Sequence, residues 1–206
     1  MPLTSRDRVG SRSDRRRELV ATGVKILRRS GLEDIDAATV AAESGVSKPL
    51  VYYYFPTQRD LQAAVVGEAA QALVAALRAT AAGQGGIDQL LAGVDAAIAF
   101  IEQQPGAYAA LVRGSGYHPR LGEVFEATRD AVADLLAERM GLPGLTPAQR
   151  IAVRSWIALV EEAVLHWLVA DRPVPRAGLV AYCGDMALHV FASPLAGLPL
   201  PEAPTS

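Results

Sequence analysis

The sequence predicts an all-α protein of about nine helices. Three observations carry that prediction. Apolar residues recur at intervals of three and four along nearly every long segment, which places them on one side of a helix. Proline and glycine punctuate the segments at their ends. Alternating strand patterns and internal repeats do not occur.

Leu19, Val20, Gly23, Ile26 and Leu27 mark the first helix, after an Asp14 placed to cap it and before a stop at Ser30-Gly31. Asp36 can cap a short helix over 37–43, which Gly45 ends. Ser47 can cap the next one, with Pro49 in its first turn where a missing N–H costs nothing. That helix runs to about Tyr54 and breaks at Pro56, and Thr57 then caps a long Ala- and Leu-rich helix lasting to about Ala81. Beyond the flexible break Gly83-Gln84-Gly85-Gly86, helices are expected over 87–104, 105–113, 119–140, 147–170 and 175–192. The residues 1–12 and the Pro-rich 194–206 are expected to be disordered.

Half of the 206 residues are hydrophobic, so a sizeable core can form. Mean hydropathy is +0.18, yet polar residues such as Glu68, Gln71 and Arg78, or Arg154, Glu161 and Glu162, interrupt the apolar stretches. None reaches the roughly 18 uninterrupted apolar residues of a spanning helix, so no membrane partner is expected. The Arg-rich N-terminus has no apolar run behind it and does not read as a secretory signal. A lone cysteine, Cys183, rules out an internal disulfide and fits a cytoplasmic protein. Net charge is −2, but residues 1–60 hold 11 Lys and Arg against 8 Asp and Glu, while residues 61–206 hold 9 against 14. A basic N-terminal part on an acidic body points to a polyanion met at one end.

The stretch SGVSKPLVYYYFP, residues 44–56, sets three tyrosines and a phenylalanine side by side. Two short helices joined by a tight Gly turn form a helix-turn-helix, whose second helix enters the DNA major groove. Motif helices over about 36–55 place Lys48, Pro49 and Leu50 in the first turn of that second helix. Val40, Val46, Val51 and Phe55 fall on the inward face, Tyr54 at the seam with the first helix, and Tyr52 and Tyr53 point toward backbone phosphates.

Gly45-Val46-Ser47, then Tyr52, Tyr54-Phe55 and Leu61, resemble the DNA-binding signature of TetR-type bacterial transcriptional regulators. The resemblance covers 13–73 in its motif and the rest in architecture only. It implies a helix-turn-helix domain over 13–73 and a helical regulatory and dimerisation domain over 74–193. Carried over, the DNA contacts fall on Lys48, Pro49, Leu50, Tyr52 and Tyr53, with Thr39, Gln58 and Arg15 completing the expected set. Three positions depart from the pattern: Ser44 replaces the usual alanine, Gln58 the usual lysine, and Asp36 a common hydroxyl residue.

The resemblance further implies a homodimer on a palindromic operator, most commonly a repressor released by a small, largely apolar effector, with no cofactor. The last two helices are apolar around most of their circumference, which makes Trp156, Val160, Trp167, Leu179, Cys183, Met186 and Val190 candidates for the interface. Phe100, Tyr108, Tyr117, Phe125, Trp156 and His166, with Arg113, Glu161 and Glu162 as polar anchors, are candidates for an effector pocket; each aromatic at helical spacing equally suits plain core. Catalysis is not expected: Ser115 and His118 share a loop, but no G-x-S-x-G turn and no preceding strand accompany them. Three scattered histidines and one cysteine do not make a metal site. The alternative reading is a constitutive or architectural DNA-binding protein without a ligand.

Overall fold

The computed structural model describes residues 5–80, 86–114, 119–194 and 196–198. The chain is all-α there, with nine helices: α1 (Ser5–Ser30), α2 (Ala37–Ser44), α3 (Lys48–Tyr54), α4 (Gln58–Ala79), α5 (Ile87–Gln103), α6 (Pro105–Gly114), α7 (Pro119–Arg139), α8 (Pro147–Val169) and α9 (Arg176–Phe191). They form two compact units. The first holds the residues up to Ala70 together with Gln104–Val124, and the second holds Gln71–Gln103 and the residues from Phe125 onward. Helices α4 and α7 each contribute to both.

In the first unit, Leu19, Val20, Ile26 and Leu27 of α1 are buried with Ile35, Val40, Val51 and Phe55. Helix α1 starts at Ser5, so Asp14 lies inside it rather than capping it, and residues 5–12 are helical instead of an unstructured leader. Asp36 caps α2 as its position suggests: its carboxylate accepts from the N–H groups of Ala38 at 2.7 Å and Thr39 at 2.8 Å. Ser47 does not cap α3 through its side chain; only its carbonyl is used, by the N–H groups of Leu50 and Val51. Thr57 and Asp60 share a reciprocal box at the head of α4, with Thr57 Oγ1 accepting the Asp60 N–H and the Asp60 carboxylate accepting the Thr57 N–H.

Gln62, almost buried on α4, donates to the carbonyl of Leu32 at 3.1 Å and so ties down the α1–α2 connection. The segment 104–124 groups with this unit because Gln104 accepts a hydrogen bond from Arg28 Nε and Gly106 meets the backbone of Gly31. Helix α4 is the one described helix whose length and hydropathy would suffice to cross a membrane. Its apolar side, with Leu61, Val65 and Val66, is already buried in the core.

The second unit is built on α9, which packs on α5 and α8. Trp156 of α8 donates Nε1–H to the Cys183 carbonyl at 2.9 Å and meets Phe191 edge-on at 5.7 Å. Helix α8 opens with a full capping box of Thr146 and Gln149. After it, Asp171 and Arg172 take left-handed φ values of 56° and 57°, a conformation that non-glycine residues adopt at a cost. Trp167 holds this turn by donating Nε1–H to the Val174 carbonyl, and Arg172 and Arg176 pair with Glu102. Burial pushes the Cys183 thiol up to about 11, so it behaves as a small apolar residue. Ala196 and Leu198 are buried, so the tail begins as packed chain; residues 83–85 of the expected break and the residues 199–206 lie outside the described residues.

Two glycines test this packing with opposite signs. A Cβ on Gly23 would overlap the γ-methyl of Val65, a fully buried β-branched side chain with one favoured helical rotamer. Gly178, in the first turn of α9, has nothing within 4 Å of that position. Gly23→Ala is expected to destabilise by about 1–3 kcal/mol, whereas Gly178→Ala is expected to stabilise by about 0.5–1 kcal/mol; urea midpoints measure both. The Asp36 cap gives a pH-dependent counterpart. Its bonds to backbone N–H groups, that of Thr39 foremost, hold its carboxyl below the usual carboxylate range. A carboxyl lowered by folding contributes stability above its unfolded pKa and loses it as the pH falls through the folded one. Asp36→Ala should therefore cost about 1 kcal/mol at neutral pH, and the difference from the parent protein should shrink in unfolding curves taken near about pH 3.

Candidate nucleic-acid interface

The candidate site is α3 and what holds it. Gly45 sits at φ 65°, the left-handed conformation that ends α2, and the Val46 N–H then closes onto the Ala41 carbonyl at 3.0 Å. Helix α3 begins two residues later, with Pro49 in its first turn. Val51, fully buried, and Phe55, 2% exposed, clamp its inner face. Ser44, beside the turn, buries its hydroxyl without a hydrogen-bond partner.

The outer face carries Lys48 and Pro49, both exposed, with Tyr52 at 43% and Tyr53 at 58% exposure. Leu50 is half-buried. Lys48 and Tyr52 are one helical turn apart, and the ammonium lies 5.9 Å from the phenol ring centroid. The pair offers a cation and a hydroxyl on one side of a helix, the equipment for base edges and phosphate oxygens. Tyr53 has a second engagement: the Arg12 guanidinium of α1 lies over its ring at 4.8 Å. Tyr54 is half-buried and meets Tyr53 edge-on at 5.1 Å.

The other expected DNA-facing residues are dispersed. Thr39 is half-buried on α2, its N–H committed to Asp36. Gln58 is the exposed first residue of α4. Arg15 is exposed but paired with Glu18 at 2.6 Å. Its neighbours Arg12 and Arg16 lie at the four-residue spacing that aligns them with the buried stripe of α1.

The residues expected to line an effector pocket have the following surroundings. Trp156 is spent on the α8–α9 core, and Phe125, 8% exposed, has the Arg129 guanidinium over its ring at 4.1 Å. Arg129 also holds Glu161 with two nitrogens. Glu162 and His166 are well exposed and pair with each other at 2.9 Å on the surface of α8. Phe100 is half-buried in the second unit and Tyr108 is buried in the first. The Arg113 side chain and Tyr117 lie outside the described residues.

Of the expected interface residues, Trp156, Trp167, Leu179 and Cys183 are buried by the chain's own packing and present no surface to a second copy. Val160, Met186 and Val190 remain half-exposed. Ile151, Val169 and Tyr182 are the large exposed apolar residues of α8 and α9. Helical periodicity marks apolar stripes without saying which of two is covered within the subunit.

Residues 19–65 match the family described as bacterial regulatory proteins, tetR family, and residues 87–185 match the tetracyclin repressor-like C-terminal domain. The HTH-type transcriptional activator FasR of Mycolicibacterium smegmatis is 30% identical over 179 residues, spanning 82% of this chain and 79% of that protein. A tetR-family transcriptional regulator from Streptomyces coelicolor shares the fold with a TM-score of 0.74 at 24% identity, over 87% of this chain and 81% of that one. The multidrug binding protein EbrR, complexed with proflavin, aligns with a TM-score of 0.67 at 19% identity, over 85% and 99%. With both halves matched, the chain belongs to the tetR family of bacterial regulatory proteins, DNA-binding regulators of transcription.

Proposed function

We propose that the protein is a homodimeric, cytoplasmic repressor that reads a palindromic operator through α3 and leaves it when a small, largely apolar effector binds. It acts by binding alone, without catalysis. The observation that carries the reading is the outer face of α3, where Lys48 and Tyr52 stand exposed on a helix whose inner face is fixed by Val51 and Phe55. Dimerisation is supported by Ile151, Val169 and Tyr182, exposed on α8 and α9 beside half-exposed Val160, Met186 and Val190. Two-fold symmetry suits a short recognition helix, because two half-sites multiply a modest affinity. EbrR, similar in fold, was crystallised with proflavin and with ethidium, which supports an effector for this chain as well.

One observation favours a second reading, activation in place of repression: the relative at 30% identity is named as an activator. A reporter fused to an operator obtained by selection from random duplexes separates the two, since deletion of the regulator raises expression under repression and lowers it under activation.

At that operator, Tyr52→Phe removes only a hydroxyl and is expected to weaken binding about fivefold, or about 1 kcal/mol, with the unfolding midpoint unchanged. Lys48→Ala should weaken it at least as much. Wild-type affinity in both variants, read by fluorescence anisotropy, would exclude α3 as the reading helix. Release by an effector makes a separate demand. The ligand must bind the DNA-free form better, and operator must weaken the ligand by the same factor. Titrating the strongest hit of a thermal-shift screen with and without saturating operator should give different affinities; equal values would leave a constitutive DNA-binding protein.

A further inference from the structure

Two arginines of α1 stand apart from their neighbours. Arg15 and Arg17 are neutralised within the helix by Glu18 and Asp14. Arg12 and Arg16 have no carboxylate partner among the described residues. Each instead lies over an aromatic ring at the end of α3: Arg12 over Tyr53 at 4.8 Å and Arg16 over Phe55 at 5.0 Å. Their spacing of four continues the stripe that, one turn further on, becomes buried Val20, Gly23 and Leu27. A stripe that begins as core thus ends as two exposed cations seated beside the recognition helix.

The fold alone does not ask for this. Like charges one helical turn apart repel, and an apolar or neutral residue would cover either ring without that cost. A guanidinium over a ring is held by its face, which leaves the N–H fork in its plane free for an oxyanion. Phosphate oxygens are the ligands that fork fits best. Both arginines are exposed, and both flank the end of α3 where Tyr52 and Tyr53 also stand exposed.

We propose that Arg12 and Arg16 form a phosphate clamp, oriented by Tyr53 and Phe55, that grips the DNA backbone beside the groove entered by α3. The clamp rests on the assignment of α3 as the reading helix. It carries no sequence information, so it raises affinity for every duplex alike.

Salt dependence tests it with the full-length protein and a labelled mixed-sequence duplex of about three helical turns (~30 base pairs). Each phosphate contact adds about 0.9 to the slope of log affinity against log salt. Arg12→Ala and Arg16→Ala should each lower that slope by about 0.9 per bound protomer, while Arg17→Ala, which removes the same charge from a paired position, should leave it unchanged. Thermal unfolding checks that the variants fold. Arg12→Gln and Arg16→Gln, which keep an apolar stem over the ring, carry the test should the alanine variants unfold. An unchanged slope in the arginine variants overturns the clamp, whatever their affinity, and reduces the two residues to braces for α3. Failure of the wild-type protein to bind both this duplex and every duplex in the selection for an operator would overturn the DNA-reading assignment as well, a result distinguishable from the first.

Discussion

The burial of Val51 and Phe55 is the constraint on which the outer face of α3 depends. Helix α3 has seven residues, far below the ~12–15 at which an isolated helix becomes even marginally stable in water. Its side chain at Ser47 makes no capping bond, so local chemistry contributes little beyond the proline in the first turn. Its shape is therefore imposed from inside, by two apolar anchors buried like Ile35 and Val40 of the same unit. Because the anchors face inward, Lys48 and Tyr52 must face outward, and rigidity on one side becomes presentation on the other.

Polar groups fix what apolar packing leaves loose. Asp36, the Gly45 turn and the Thr57–Asp60 box set where α2 and α4 begin and end, and each satisfies backbone groups that a helix end exposes. Gln62 does the same for the carbonyls of the α1–α2 connection. The many surface ion pairs matter less. Those joining Arg150 of α8 to Asp130 and Asp134 of α7 are exposed, and such pairs contribute about 0–1 kcal/mol each.

In the second unit the two tryptophans show how one residue type can serve packing and geometry together. Each fills core volume while its indole N–H finds a backbone carbonyl, Cys183 for Trp156 and Val174 for Trp167. The latter bond helps to hold Asp171 and Arg172 in their left-handed turn. A Cβ on Gly184 would overlap Leu91, so α9 approaches α5 as closely as a missing side chain allows.

What the sequence determined by itself was the local order. The helix spans beyond α1, the Asp36 start, the Gly45 stop and the position of α3 all rest on interactions within a few residues, which a linear string records. The recognition motif was legible for the same reason. Tertiary structure alone decided matters that turn on which surface meets which. Trp156, Trp167, Leu179 and Cys183 read equally as interface or core, and packing within the subunit made them core. Glu162 and His166 suited a pocket by composition, yet the rotation of α8 turned them to solvent. Among four consecutive-looking arginines, pairing to Glu18 and Asp14 silenced Arg15 and Arg17, while Arg12 and Arg16 met rings from α3 about forty residues away. Periodicity gives a side chain its direction from its own helix axis; only the neighbouring helix decides what it touches.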